Sequence, residues 1–296
     1  MRIAPRFPMT RILVTAGVTL VAALLLGVAG AGVVVFGGLY DIGATKQHLQ
    51  PVFTLLETTL RHSVRRRARS IEAPPLADPA LVARGAACYR DHCVQCHGAP
   101  GIAPAAFAMA LQPLPGPLVD AARHWRAREL YWIVRHGIRM SGMPAWQLRL
   151  SDADLWAVVG FLDRLALLSP ADYDAQMTAL QGSVCTLASP EAPGVAEPAA
   201  AVAADGADVA LLALHQYACS GCHAIPGVTG ADPQVGPPLA GFARRRLIAG
   251  RLDNTTDNLV RWIRAPGSIK PGTAMPDLGV TEEHARQIAA YLSRLH

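Results

Sequence analysis

Charge is scarce in this chain. Asp, Glu, Lys and Arg make up 17% of its 296 residues, against 51% hydrophobic residues. A sequence so poor in charge and so rich in apolar side chains can bury enough surface to fold, which excludes a largely disordered protein. A basic surplus is also missing where a folded domain would carry it. Residues 1–71 hold nine basic and two acidic residues (+7), residues 72–180 nine and ten (−1), residues 181–204 none and two (−2), and residues 205–296 nine and eight (+1). The net charge of +5 thus comes from the N-terminal segment, and a nucleic-acid binder, with positive charge gathered on its folded part, is excluded.

Charge is absent altogether from Ile12 to Phe36. An apolar run of this length crosses a bilayer as a helix. A cleaved signal peptide would have an apolar region of only about 7–15 residues, although the small residues Ala29 and Ala31 leave a cleavage site open. Arg2, Arg6 and Arg11 precede the run, so the positive-inside rule puts the N-terminus in the cytoplasm and the rest of the chain outside. Residues 1–40 are therefore expected to be the anchor. In the basic connecting segment 41–71, Leu49, Val52, Phe53, Leu56, Leu60 and Val64 fall at helical spacing. Two readings fit it: a spacer helix with a solvated basic face, or a helix docked on lipid headgroups or a membrane partner.

Cysteine is sparing but patterned. Four of the six cysteines lie in Cys93-Val94-Gln95-Cys96-His97 and Cys219-Ser220-Gly221-Cys222-His223. Cys-x-x-Cys-His is the attachment signature of c-type haem. Two thiols one helical turn apart add to two vinyl groups, and the adjoining histidine reaches the iron. A zinc site would pair the two halves, yet each lies within its own domain-sized stretch. Cys88, Cys93 and Cys96 also match an iron–sulfur spacing, with Cys185 as fourth ligand, but that reading leaves His97 and the second motif unexplained.

A six-coordinate iron needs one more ligand, and methionine sulfur supplies it while raising the potential. Met143 follows His97 in Ser141-Gly142-Met143-Pro144, and Met275 follows His223 in Thr273-Ala274-Met275-Pro276. The following proline favours an extended loop. Met140, a rival to Met143, lacks that proline, and Met109 lies near the attachment site in sequence. Each Met-Pro step is followed by a helix-start signal, Ser151 with Asp154 and Thr281 with Glu282 and Glu283, and then by an apolar helical pattern. Helical runs also lead into the motifs, Leu81 to Arg90 and Val209 to Ala218. Gly85 would allow the first a close approach to its terminal helix. Leu211 stands at the corresponding place in the second, so that contact must differ. The halves read as an internal repeat.

These residues resemble class I c-type cytochromes, twice over. The resemblance implies an all-α fold with an N-terminal transmembrane helix and two tandem cytochrome c domains, 72–180 and 207–296, joined by an Ala/Pro-rich linker at 181–206 that would let them move unless a partner fixes them. It implies two covalently bound haem c groups. Cys93, Cys96, Cys219 and Cys222 would be the thioether donors, His97 with Met143 and His223 with Met275 the axial pairs. Gly236-Pro237-Pro238-Leu239 is similar to the family turn whose proline carbonyl receives the proximal histidine, which would give Pro237 that role. In the first domain Pro113 and Pro115 both remain candidates. Cys88 and Cys185 are left over, and in the periplasm they would form a disulfide or remain two thiols. Arg244, Arg245 and Arg246 would face propionates, an acidic partner or solvent.

The expected function is electron relay at the periplasmic side of the inner membrane, held by a single pass. The donor would be a dehydrogenase or quinol-oxidising complex, the acceptor an oxidase or reductase, and the chain either a free relay or a subunit of a respiratory complex. The alternative is a dihaem enzyme such as a cytochrome c peroxidase, for which His124 and His136 are candidate bases.

Overall fold

The fold is described from a computed structural model for residues 9–45, 48–185, 206–229 and 235–296. Most of the expected linker, together with Arg2, Arg6 and Lys46, lies outside these residues. The first helix, α1 (Met9–Phe36), has no buried residue. Its 28 residues span about 42 Å at 1.5 Å per residue, more than the roughly 30 Å of a bilayer's hydrocarbon core.

The second helix, α2 (Gln50–Ala68), begins with a proline in its first turn, where the missing N–H is no loss. Its apolar stripe divides in two. Val64 and Ala68 are fully buried, whereas Leu49, Phe53 and Leu56 are exposed. The buried end packs on α6 (Ala127–His136). Arg61 lies over the Trp125 ring, 5.7 Å from its centroid, and Arg128 Nη1 donates to the Arg69 carbonyl at 3.3 Å. The connecting segment is thus half docked on the first domain, with its basic face at Arg65, Arg66 and Arg67 exposed.

The first domain contains α3 (Pro79–His92), α4 (Val94–His97), α5 (Ala121–His124), α6, α7 (Asp152–Leu165) and α8 (Pro170–Ala179). Asp78 caps α3, accepting from Ala80 N at 2.9 Å. Ser151 and Asp154 form a capping box at α7. Helices α3 and α7 cross at the core, and a Cβ on Gly85 would run into the Ala157 carbonyl. On the opposing helix, Gly160 gives room to Leu81. Tyr89, Phe161, Leu155, Leu162 and Leu165 fill the interior around this crossing. Asp154 is buried there with partners for its charge, the Ser151 hydroxyl and the Arg84 guanidinium, both at 2.5 Å.

The second domain contains α9 (Gly206–Gln216), α10 (Thr256–Arg264), α11 (Pro266–Ile269) and α12 (Glu282–Leu292). Among the described residues this domain also has an antiparallel ribbon of β1 (Leu247–Ile248) and β2 (Leu252–Asp253). It turns through left-handed Ala249 and Gly250. Thr281 caps α12 through the His284 N–H at 3.1 Å. The second core gathers α9, α10 and α12 around Leu214, Tyr217, Leu259, Ile288 and Leu292. The helix contact differs in the second domain, as Leu211 implied: Ala210 and Ala213 are the fully buried small residues of α9, and Leu211 is only partly buried. Helix α9 stops at Gln216, and left-handed Ala218 lies between it and the cysteine motif.

Candidate haem-binding sites

In the first domain the cysteine motif continues the leading helix. The Cys93 N–H donates to Tyr89 O at 2.9 Å, and the His97 N–H donates to Cys93 O at 2.9 Å. Cys93 and Cys96 therefore stand almost one turn apart on a helical backbone, with His97 next in line. Gly98, at φ 66°, ends the helix, and the buried Tyr89 hydroxyl donates to its carbonyl at 2.7 Å.

His97 Nδ1 lies 2.8 Å from the Gly116 carbonyl oxygen. A carbonyl only accepts, so Nδ1 carries the proton and the Nε2 lone pair is free for a metal. The acceptor is neither Pro113 nor Pro115. The turn reads Pro115-Gly116-Pro117-Leu118 where the second domain reads Gly236-Pro237-Pro238-Leu239, so the bonding carbonyl belongs to glycine instead of proline.

Met143 sits on a loop fastened at several points. Its N–H donates to Ser141 Oγ at 3.1 Å, and its carbonyl accepts from the Ile138 N–H at 3.2 Å. Left-handed Gly137 lets this loop pass close to the end of α6: a Cβ there would stand 2.6 Å from the Met143 oxygen. Met143 is partly buried against the first core. Met140, 91% exposed, and Met109, also exposed, face away from the packed interior.

The second site repeats the chemistry on a different entry. A 3-10 turn, Cys219–Gly221, carries the motif, and the His223 N–H donates to Cys219 O at 3.0 Å. His223 Nδ1 lies 2.8 Å from the Pro237 carbonyl oxygen. The 236–239 turn is tied to the motif by Gly236 N–H to Cys222 O at 2.7 Å and Leu239 N–H to Ala224 O at 2.8 Å. Gly236 is required by proximity, since a Cβ there would lie 2.6 Å from His223 Nδ1. Met275 repeats the Met143 turn, its N–H donating to Thr273 Oγ1 at 3.3 Å. Of the three arginines, Arg245 donates to the Pro238 carbonyl beside the histidine turn and lies over the Phe242 ring. Arg244 and Arg246 are exposed.

The thiol environments are apolar. Although Cys93 keeps part of its surface open, the packing around it pushes its thiol up to about 12, with Cys96 adding to the effect. Burial likewise pushes Cys219 up to about 11. With two sulfurs, an imidazole whose Nε2 is free and a sulfur-bearing loop at each site, the residues fit haem c.

Cys88 and Cys185 are joined by a disulfide closing a 97-residue separation. The segment leading to Cys185 is also laid on α3: the Cys185 N–H donates to Asp91 at 2.9 Å, its carbonyl lies 3.1 Å from His92 Nε2, and Arg90 donates to the Leu180 and Ser183 carbonyls. The candidate bases have other partners, His124 with Asp120 at 3.1 Å and His136 with the Trp132 ring at 4.8 Å.

Comparison with known families bears on these two sites directly. Residues 80–162 match the family described as cytochrome C oxidase, cbb3-type, subunit III. Residues 203–296 match the cytochrome c family. The chain carries two tandem cytochrome c domains. A cytochrome c oxidase subunit 2 from Alkalihalophilus pseudofirmus is 33% identical over 133 residues, 45% of this chain and 34% of that protein. One from Bacillus sp. strain PS3 is 37% identical over 87 residues, 28% of this chain and 24% of that protein. The chain therefore spans about a third of one relative's length and a quarter of the other's. No solved structure matches it significantly. Cytochrome c domains hold haem covalently and transfer electrons, and the tandem pair makes this chain an electron-transfer cytochrome.

Proposed function

We propose that the chain is a membrane-anchored dihaem cytochrome passing electrons from a dehydrogenase or quinol-oxidising complex to a terminal oxidase or reductase. One observation carries the reading: each domain has a histidine whose Nδ1 is engaged by a backbone carbonyl, and a methionine whose N–H is held by a hydroxyl two residues earlier. When bound, haem c supplies a one-electron iron couple. His97 and His223 would hold the metal, oriented by the carbonyls of Gly116 and Pro237. Met143 and Met275 would be its sulfur ligands, which would raise the potential and keep small oxidants away. The four cysteines would retain the cofactor in domains too small to do so by packing alone. An oxidase as acceptor is supported by the likeness to oxidase subunits. Helix α1 would hold both domains at the periplasmic face of the inner membrane.

The test is the mass of the mature protein in denaturant, with its visible spectrum. Two covalent haem increments on a chain retaining residues 1–40, low-spin at both irons and showing the methionine–iron charge-transfer band, are expected. One haem or none, or a high-spin haem that turns over peroxide, refutes the relay. Co-purification after mild solubilisation separates a complex subunit from a free carrier.

A further inference from the structure

The two domains touch through the segments that carry their ligand sets. Six residues beyond Met143, Arg149 reaches across to the second domain, its guanidinium carbon 4.6 Å from the Tyr217 ring centroid. Beside it, Leu148 packs against the second core. Tyr217 is 2% exposed and stands two residues before Cys219. Its hydroxyl lies 3.0 Å from His284 Nδ1 on α12, so the ring that receives the cation is held from behind.

On the first domain the contact is equally well supported. Arg149 and Leu150 both donate their N–H to Trp146 O at 2.8 Å, and the Trp146 N–H donates to Val134 O at 3.2 Å. The Trp146 ring packs on His92, next to Cys93, with centroids 5.4 Å apart. The Arg149 charge bears on the second domain too: burial holds the His284 pKa down, and Arg149 adds to that against Glu283.

We propose that Arg149 is a positioning residue, clasping the Tyr217 ring so that the methionine loop of the first domain is fixed beside the cysteine motif of the second and electrons pass between the domains within one molecule. A guanidinium over a buried aromatic face is attracted to the ring's negative quadrupole, most strongly where water is excluded. The electron step moves no proton and breaks no bond: one iron loses one electron and the other gains it. The clasp joins two domains that lie far apart in sequence through Arg149 and Tyr217. It rests on the reading that both domains hold haem.

The test uses the full-length protein in detergent and compares Arg149→Glu and Arg149→Lys with the wild type. Amide hydrogen exchange at residues 146–150 and 213–219 reports the contact, and rapid-mixing kinetics report electron passage between the haems. Arg149→Glu is expected to raise exchange on both faces and slow inter-haem passage on the order of tenfold, leaving each haem's spectrum as it was. Arg149→Lys should restore part of both. Unchanged exchange on the two faces overturns the clasp. Raised exchange with an unchanged rate, or an altered haem spectrum, overturns the positioning role. If the mass shows fewer than two haems, the dihaem reading fails, while the exchange measurement still decides the clasp.

Discussion

Replacing Gly236 with alanine asks whether the second site depends on backbone proximity to its histidine. A Cβ at 236 would lie closest to His223 Cε1 and 2.6 Å from Nδ1, where ordinary contact begins at 3.4 Å. Ring or turn must therefore yield by at least about 0.8 Å, more than the roughly 0.6–0.7 Å separating a 2.8 Å bond from a lost one. The bond at stake is His223 Nδ1–H to the Pro237 carbonyl, at 2.8 Å. A hydrogen bond of this kind contributes about 0.5–1.5 kcal/mol, or roughly 20–60 mV for a one-electron couple. Without it the imidazole is a weaker donor and the ferric state is less favoured, so the potential of the second haem should rise. Gly116 is the control. Its carbonyl receives His97 at 2.8 Å, yet a Cβ on it would meet nothing within 4 Å. Redox titration of Gly236→Ala and Gly116→Ala should move one haem potential in the first variant and neither in the second. A silent Gly236→Ala, or equal shifts from the two variants, would refute the reasoning.

Three other outcomes are expected. Met143→Ala should turn one haem high-spin and lower its potential, while Met140→Ala, altering an exposed side chain, should leave absorption spectra unchanged; the reverse would reassign the ligand. Removing the 88–185 disulfide by a double serine substitution should cost about 4–5 kcal/mol on loop entropy alone, read from denaturant unfolding of the first domain, and a loss under 1 kcal/mol would mean that the hydrogen bonds to α3 suffice. Burial lowers the His136 pKa from 6.5 to about 4, with Arg135 and Arg67 adding to it. The unfolded chain therefore takes up this proton first as pH falls, so His136 contributes stability above about pH 6.5 that is lost progressively toward pH 4. His136→Gln should flatten that part of the pH–stability curve, and an unchanged slope would place the acid sensitivity elsewhere.

What could be read from sequence was the chemistry that needs particular side chains. Thioether attachment demands two cysteines and a histidine at fixed spacing, and helix starts demand short oxygen-bearing side chains such as Ser151 and Thr281. What could not be read was set by backbone. The His97 partner is a carbonyl, which every residue owns, so a search for a proline passed over Gly116. Left-handed Ala218 carries no signature of its own, yet it breaks the path from α9 to the cysteine motif. The stripe on α2 announced a helix, but its division between a docked end and a bare end depends on α6, far along the chain. The Arg149–Tyr217 contact pairs residues whose types are common on any surface, and only the tertiary structure brings them together.

The two proposed sites match in residue types and differ in how they are fastened. The first is held from its helix: α3 runs unbroken into Cys93, is crossed tightly at Gly85, and is tied by the disulfide and by the bonds from Arg90, Asp91 and His92. The second is held from its loop: its helix stops short of Cys219, and the 236–239 turn is bound to the motif by two backbone bonds, a crowded glycine and the Arg245 side chain. A disturbance of the leading helix should therefore reach the first iron, and a disturbance of the histidine turn the second. Domains fastened in such different ways need not share a potential, and a difference between them would give electrons passing between their haems a direction.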